Sequence, residues 1–216
     1  MKIRNTQAAE LFVWTDIDPI YEDDFNQWYD REHMEERVAI SGFKWARRYR
    51  AVSKKARKYL ALYRTENIDV FTSDVYKKAF ECQTAWSNTN FERMTNTKRR
   101  VMHVSHEDGF GCGASIGLIR LRDTEVRFND LEQAIKIVSK TDGVLRIRVL
   151  EPDQVLSTPL PSENKSQDKL ESTIVIDATT EPASAAAVRI VLDQLSLSTE
   201  RGLTFNLMWE LHSDDL

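Results

Sequence analysis

The pattern of hydrophobic and polar positions predicts one order of secondary-structure elements that occurs twice along the chain. Short runs rich in β-branched and aromatic residues indicate strands at 10–17, 43–52, 59–65, 99–106, 114–121, 144–150, 172–178 and 204–212. Apolar residues at helical spacing indicate helices at 21–40, 69–83, 129–139 and 182–195. Each half therefore has the order β-α-β-β-α-β, which is the ferredoxin-like order. We expect an α+β fold made of two tandem ferredoxin-like units, residues 8–109 and 110–216.

Two segments have patterns that fit these rules less well. Residues 85–97 are compatible with a short helix or with an ordered loop. Residues 151–169 are polar and contain prolines, so we expect an exposed loop that is in part without fixed structure.

The predicted first helix and the strand after it combine aromatic, basic and titratable side chains. One face of the helix is apolar but also carries a tyrosine and a histidine: Phe25, Trp28, Tyr29 and His33. After a glycine turn, alternation places four side chains on one side of the strand: Phe43, Trp45, Arg47 and Tyr49. If that side of the strand meets the helix, His33 lies over a tryptophan, an arginine and a tyrosine. The stretch therefore predicts a pocket between helix and sheet.

Aromatic and titratable residues are concentrated in the first half of the chain. All six tyrosines lie there, as do every tryptophan except Trp209 and every histidine except His212. Ligand sites use such side chains, although a core built from aromatic residues would give the same bias. We expect the site in residues 8–109 and a mainly structural role for residues 110–216.

The residues of this stretch resemble a known superfamily. The resemblance rests on Phe25-Asn26, Trp28-Tyr29, Glu32-His33, Gly42-Phe43 and Ala46-Arg47-Arg48-Tyr49, and the chain is similar to the EthD-like branch of the dimeric α+β-barrel superfamily. The resemblance implies two ferredoxin-like sheets packed face to face as a barrel, with helices outside and a site between the helices and one sheet. Members include haem-handling enzymes, cofactor-free monooxygenases, cyclases, isomerases and proteins without an assigned role. Here both sheets would come from one chain, so we expect a monomeric pseudo-dimer or a homodimer of it.

His33 is the strongest candidate for chemistry, because an imidazole can accept or donate a proton near neutral pH. The alternatives are a histidine packed in the core, or a surface histidine bonded to Glu32 or Glu36. Arg47 and Tyr49 could hold an oxyanion that develops on a substrate. The predicted substrate-binding residues are Trp28, Tyr29, Trp45, Tyr63 and His103.

We predict no metal site, because His103 and His106 fall on opposite faces of a strand. The basic stretch 47–57 is interpreted as a solvated hairpin, since a net charge of −4 gives no general attraction to nucleic acid. The sequence contains no nucleotide-binding motif and no apolar run long enough to span a membrane, and from its first residues we expect no signal peptide. The two cysteines, Cys82 and Cys112, fit a reducing cytoplasm.

These observations favour a cytoplasmic, cofactor-free enzyme that acts by acid–base chemistry on a small hydrophobic, aromatic carbonyl compound. The reaction class would be that of a lyase, isomerase, cyclase or dehydratase. The alternatives are a cofactor-free monooxygenase, and a non-catalytic protein that binds a small molecule or haem, with His33 orienting or ligating it.

Overall fold

The computed structural model describes residues 8–121, 126–157 and 170–216. Its eight strands form a closed barrel in which each strand is antiparallel to both neighbours. The strands are β1 (Ala9–Ile17), β2 (Phe43–Ala51), β3 (Tyr59–Thr65), β4 (Met94–Gly109), β5 (Ser115–Leu121), β6 (Val144–Pro152), β7 (Ser172–Ala178) and β8 (Gly202–His212). All eight correspond to strands predicted from the sequence, and β4 departs most because it begins earlier and ends later than its prediction. Of the predicted loop 151–169, residues 158–169 lie outside the described part.

The order of strands around the barrel is β1-β3-β2-β8-β5-β7-β6-β4. Strands of the first half are therefore neighbours in the order fourth, first, third, second, and strands of the second half repeat that order. The two groups meet where β2 pairs with β8 and where β4 pairs with β6. One chain closes the whole barrel, so a second copy is not needed to complete its hydrogen bonding.

The helices lie outside the barrel. They are α1 (Glu22–Trp28), α2 (Met34–Val38), α3 (Asp74–Glu81), α4 (Ala85–Arg93), α5 (Phe128–Val138) and α6 (Glu181–Gln194), with single 3₁₀ turns at Pro19–Tyr21, Ile68–Thr72, Thr199–Arg201 and Ser213–Asp215. A π-helical turn, Tyr29–His33, joins α1 to α2, so the predicted first helix is continuous but locally widened. Every helix in the described residues is too short or too polar to cross a lipid bilayer.

Residues 85–97, for which the sequence left two possibilities, contain helix α4. The Thr84 side chain accepts a hydrogen bond from the Ser87 backbone N–H and caps the start of the helix. The helix ends at Arg93, and β4 begins at the next residue. This segment therefore supplies a wall on the outside of the first-half sheet.

The two halves bury different residues between helices and sheet. The first half packs an aromatic cluster that includes Phe25, Trp28, Tyr29, Phe43, Tyr59, Tyr63, Phe71 and Tyr76. The second half packs an aliphatic cluster that includes Ile119, Leu121, Ile135, Val138, Ile147, Val149, Ile174, Ile176, Val188, Val191 and Leu192. A third cluster fills the inside of the barrel.

Helix α6 lies very close to the second-half sheet because two glycines stand beneath it. A Cβ atom added at Gly117 would lie 2.5 Å from Val188 Cγ2, and one at Gly202 would lie 2.4 Å from Val188 Cγ1. Real side chains do not approach each other so closely, so larger residues at these positions would displace the helix.

Candidate functional site

A cavity of about 690 Å³ lies between the helices and the outer face of the sheet in the first half. Most of its walls are aromatic or aliphatic, and a few polar side chains reach it, as in typical small-molecule sites. It is lined by Leu11, Val13, Tyr29, His33, Arg37, Tyr63, Tyr76, Phe80, Gln83, Asn88, Phe91, Glu92, Met94 and Arg99. The cavity is in the half, and between the layers, that the sequence predicted.

His33 reaches this cavity from the π-helical turn between α1 and α2. In this turn the Met34 N–H donates to the Tyr29 carbonyl, five residues back, so the helix is wider than an α-helix. Such turns occur frequently at functional sites. The imidazole of His33 stacks on Trp28 with ring centroids 4.2 Å apart, and the edges of Tyr29 and Phe91 complete its surroundings.

The hydrogen bonds around His33 separate it from the acidic residues beside it in the sequence. Glu32 Oε1 accepts hydrogen bonds from the hydroxyls of Thr84 (2.5 Å) and Ser87 (3.3 Å), and Trp28 Nε1 donates to Ser87 Oγ at 3.0 Å. These bonds fix α4 against α1. The Nδ1 atom of His33 is buried and has no hydrogen-bond partner among the residues that the structure describes.

The surroundings of His33 keep its ring neutral. Burial is the largest cause, and the positive charges of Arg37 and Arg48 add to it, so the pKa of His33 lies well below 6.5. A neutral imidazole at cellular pH can accept a proton but has none to give as an imidazolium. Of the two roles in acid–base chemistry, the lowered pKa is compatible with that of a base, although it also makes the ring of the free protein a weak one.

Two tyrosines stand beside His33 in the cavity wall. Burial raises the pKa of Tyr63 well above 10, and the neighbouring Tyr29 contributes to this rise. Burial likewise raises the pKa of Tyr29, against the opposing charge of Arg48. Both phenols thus stay protonated and can donate hydrogen bonds.

Arg48 lies behind Tyr29, on the side away from the cavity. Its guanidinium carbon is 4.0 Å from the centre of the Tyr29 ring, and only 1% of the residue is exposed. Arg48 Nη2 donates to Asn26 Oδ1 at 2.8 Å, and Nη1 pairs with Asp30 at 3.3 Å. The sequence analysis interpreted this arginine as part of a solvated hairpin, and that interpretation was wrong.

The structure divides the eight predicted site residues among four places. His33, Tyr29 and Tyr63 line the cavity, and Trp28 lies behind the His33 ring. Trp45, Arg47 and Tyr49 point into the barrel, where they contact strands of both halves. His103 is about half exposed and contacts Asp153 on the surface, with Nε2 and Oδ2 3.2 Å apart.

A β-bulge explains why Arg47, Tyr49 and Trp45 do not face His33 as predicted. On β2, Phe43 pairs with Thr65 but Trp45 pairs with Arg64, so β2 contains one residue more than β3 at this point. The extra residue reverses the alternation. Phe43 therefore packs under the helices against Phe71 and Tyr76, whereas the following odd-numbered side chains turn inward. The prediction that they share a pocket with His33 was wrong.

Arg47 instead belongs to a network of ion pairs inside the barrel. Arg148 pairs with both Glu10 and Asp177, and Arg47 Nε pairs with Glu210 Oε2 at 2.8 Å. Burial opposes ionisation of Glu10, but Arg148 and other nearby arginines outweigh it, so its pKa is lowered. The same balance lowers the pKa of Asp177. This network connects strands of the first half with strands of the second half.

The cavity contains residues that the sequence analysis did not select, above all Arg37. It follows His33 by four residues, so continuing the spacing of Tyr29 and His33 along the helix would have found it. The wall residues Phe80 and Phe91 lie on α3 and α4. The sequence does not indicate how these two helices are oriented over the sheet. In the described chain, no group of three or more His, Cys, Asp or Glu side chains is arranged to hold a metal.

No protein-family model matches the chain, and no curated protein matches it in sequence. Solved structures do match it over nearly the whole length. An anthrone oxidase-like protein is 10% identical, with a TM-score of 0.64 over 99% of this chain and 96% of that one. A proposed monooxygenase from Lactobacillus acidophilus is 10% identical, with a TM-score of 0.58 over 95% and 96%. A haem-binding protein from Thermus thermophilus is 11% identical, with a TM-score of 0.52 over 96% and 92%.

These matches and the closed eight-stranded barrel define the class of fold. The chain has the dimeric α+β-barrel fold, as the sequence resemblance implied. At identities this low the likeness describes the fold alone, and the function must be argued from the cavity.

Proposed function

We propose that this protein is an enzyme that binds a small aromatic carbonyl compound in the first-half cavity and removes a proton from it with His33. The observation that carries the proposal is the position of His33: a buried imidazole, stacked on Trp28, in the wall of an aromatic cavity. Flat aromatic walls favour a flat aromatic ligand through stacking and edge contacts. A neutral imidazole in contact with such a ligand can accept a proton from it.

The proposed step breaks a C–H bond activated by the carbonyl group. The proton passes to a nitrogen of His33, and the electron pair of the C–H bond moves onto the carbonyl oxygen, which becomes an enolate. Tyr63 is suited to stabilise this oxygen, because its hydroxyl stays protonated and the residue lies in the cavity wall beside His33. Return of the proton to another atom would make an isomerase, and loss of a leaving group would make a lyase or dehydratase.

The protein's place among related folds is part of the proposal. We propose that residues 8–109 and 110–216 are two ferredoxin-like units, that the first carries the site, and that the chain belongs to the EthD-like branch. The repeated strand order around the barrel supports the two units. The free thiols of Cys82 and Cys112 fit a reducing compartment such as the cytoplasm.

An oxygenase is the second candidate, and the similarity to an anthrone oxidase-like protein favours it. The first step would be the same, because an enolate of an electron-rich aromatic compound can then react with O₂ supplied from solution. The two candidates differ only after proton removal. Oxygen consumption during turnover distinguishes them.

The residues of the cavity do not fit a haem ligand at His33. A histidine that ligates a metal normally donates the hydrogen of its other ring nitrogen to an acceptor, which orients the ring. Nδ1 of His33 has no such acceptor in the described chain, and Trp28 covers one face of the ring. We therefore propose a site without haem, and absorption spectra recorded on adding haem should show no His33-dependent Soret shift.

The proposal can be tested without knowing the natural substrate. Anthrone is an aromatic ketone with an acidic C–H bond, and exchange of that hydrogen for deuterium in D₂O reports proton removal by NMR. We expect wild-type protein to accelerate the exchange and His33→Gln to lose the acceleration by about 10²-fold or more, the usual contribution of a general base.

The matched control is His103→Gln, which changes an exposed histidine of the same half. It should exchange at the wild-type rate. Equal rates for His33→Gln and wild type, with the fold of both verified by circular dichroism, would exclude His33 as the base.

A further inference from the structure

We infer that the ligand of the first-half cavity is an aromatic compound that carries a negative charge, and that Arg37 binds this charge. The inference deepens the proposed function and rests on the cavity being a ligand site, but it does not require proton transfer by His33. The reasons are that neutral acceptors fix the guanidinium of Arg37 and that no carboxylate pairs with it in the described residues.

Arg37 is fixed in the cavity wall by neutral acceptors. It lies on α2, one turn after His33, and only 5% of the residue is exposed. Its Nη2 atom donates to the Ala79 carbonyl at 3.2 Å and to Gln83 Oε1 at 2.9 Å. The Ala79 carbonyl is near the end of α3, where the partial negative charge of a helix offsets part of the positive charge. These bonds orient the guanidinium but supply no counter-ion.

No carboxylate pairs with Arg37 within the described residues. Burial and the charge of Glu32 raise the pKa of the neighbouring Glu36, and the charge of Arg37 opposes this rise only in part. Arg37 and Glu36 do not form an ion pair. The Nε atom of Arg37 is buried and has no hydrogen-bond partner in the described chain. A buried guanidinium with an unsatisfied N–H and no counter-ion is costly, because burial removes its hydration without replacing it.

Other buried arginines of the protein show what Arg37 is missing. Arg47 pairs with Glu210, Arg48 with Asp30, and Arg148 with Glu10 and Asp177. Each of these cations has a carboxylate within ion-pair distance. Arg37 faces a ligand cavity in the place where the others face an acid, so a ligand oxyanion would complete its pairing.

The remaining charges of the cavity are consistent with an anionic ligand. The positively charged groups in its wall are Arg37 and Arg99, and the acidic group is Glu92, which is exposed. Arg99 already donates to the Tyr76 hydroxyl at 2.9 Å and to the Leu156 carbonyl at 3.0 Å. With aromatic walls around the guanidinium of Arg37, the ligand class is a flat aromatic body bearing a carboxylate or a comparable oxyanion.

An anion bound at Arg37 would also change the basicity of His33. The groups around the imidazole that carry or can acquire a charge are Arg37, Arg48, Tyr29 and Tyr63. Both arginines act to keep the imidazole neutral. A negative charge next to Arg37 cancels part of this effect, so the ligand itself would make His33 a stronger base.

The test compares 1-naphthoate with its neutral analogue 1-naphthamide, using calorimetry and quenching of tryptophan fluorescence. We expect naphthoate to bind the wild-type protein about 10-fold tighter or more, which corresponds to one charge-assisted hydrogen bond. Arg37→Met should bring the two affinities to within about twofold of each other. Arg31→Met removes an exposed arginine from the same helical segment and should keep the wild-type preference.

Equal binding of the two compounds by wild type, binding of neither at millimolar concentration, or a preference that survives in Arg37→Met would each overturn the inference. The comparison of the two compounds on wild type needs no variant, so it stands even if Arg37→Met does not fold. His33→Gln should keep the preference for naphthoate. A preference that persists while anthrone exchange shows no dependence on His33 would thus reject the proposed chemistry but not the anion site.

Discussion

The layer between the helices and the sheet holds a cavity in the first half and is filled by aliphatic side chains in the second. Between α1–α4 and the first-half sheet, large aromatic side chains leave a cavity of about 690 Å³. Between α6 and the second-half sheet, Gly117 and Gly202 let the helix approach until Val188 packs against both glycines, and the open groove beside it is formed by one side of α6 and residues 53–57. The barrel architecture is common to both halves, so the site depends on which side chains occupy the layer between helices and sheet.

A similar contrast exists between two kinds of buried arginine. Arg148, at the centre of the barrel, is paired with two carboxylates and helps to join the halves. Arg37, in the cavity wall, has only neutral partners among the described residues. The ion pairs of Arg148 stabilise the fold, whereas the guanidinium of Arg37 is available to bind a ligand.

The largest expected effect is the loss of stability in Arg148→Met, and comparing it with Arg37→Met tests the contrast between the two arginines. Arg148→Met leaves the buried Glu10 and Asp177 without their shared partner, so it should lower the free energy of unfolding by about 3–5 kcal/mol. Arg37→Met leaves only two neutral acceptors without a donor, so its loss should stay near ~1 kcal/mol. Urea unfolding of the two variants measures the difference, and equal losses would show that Arg37 has a structural role like that of Arg148.

The next prediction compares the packing of the two halves. Ile176→Ala creates a void in a closely packed aliphatic layer and should cost about 2–5 kcal/mol. Leu11→Ala removes a side chain that already borders open space, so the cost should be about 1–2 kcal/mol, from lost burial alone. Thermal and urea unfolding report both values. A larger loss for Leu11→Ala would mean that the first-half layer is as tightly packed as the second.

A smaller effect concerns the pH dependence of stability. The pKa of His33 is lowered in the folded protein, so below about pH 6.5 the unfolded chain binds a proton at this residue before the folded protein does. Stability should therefore fall as the pH decreases from about 6.5 to 5, by at most about 1.4 kcal/mol per pH unit from this group. His33→Phe should reduce the slope over this range, above the pH at which Glu10 and Asp177 titrate. A variant with the wild-type slope would contradict the assignment.

Much of the fold could be predicted from the sequence because its signals are local. Turn residues and hydrophobic runs marked all eight strands, and the order of elements suggested the repeated topology. The site could be predicted only in part. His33, Tyr29 and Tyr63 follow from spacing within one helix and one strand, and the structure brings them together.

The predictions that were wrong concerned side chains whose positions depend on pairing between strands that are distant in the sequence. The bulge near Lys44 is defined by the register of β2 against β3, and no feature of 43–52 alone shows that alternation is broken there. For the same reason Arg48 was placed in solvent, although it lies buried beneath Tyr29. The partners of Arg47 come from strands more than a hundred residues away in the sequence, beyond the reach of any local pattern.

The most direct test of the account is an NMR titration of His33 with a ring-labelled histidine, using His33→Gln to assign its signal. We predict a neutral His33 ring at pH 7, whose NMR signals stay unchanged until the pH is well below 6.5. The midpoint of the His33 titration should rise when 1-naphthoate is bound. A midpoint at or above 6.5 in the free protein would contradict it, because His33 would then be an ordinary solvated histidine and not a buried base beside two arginines.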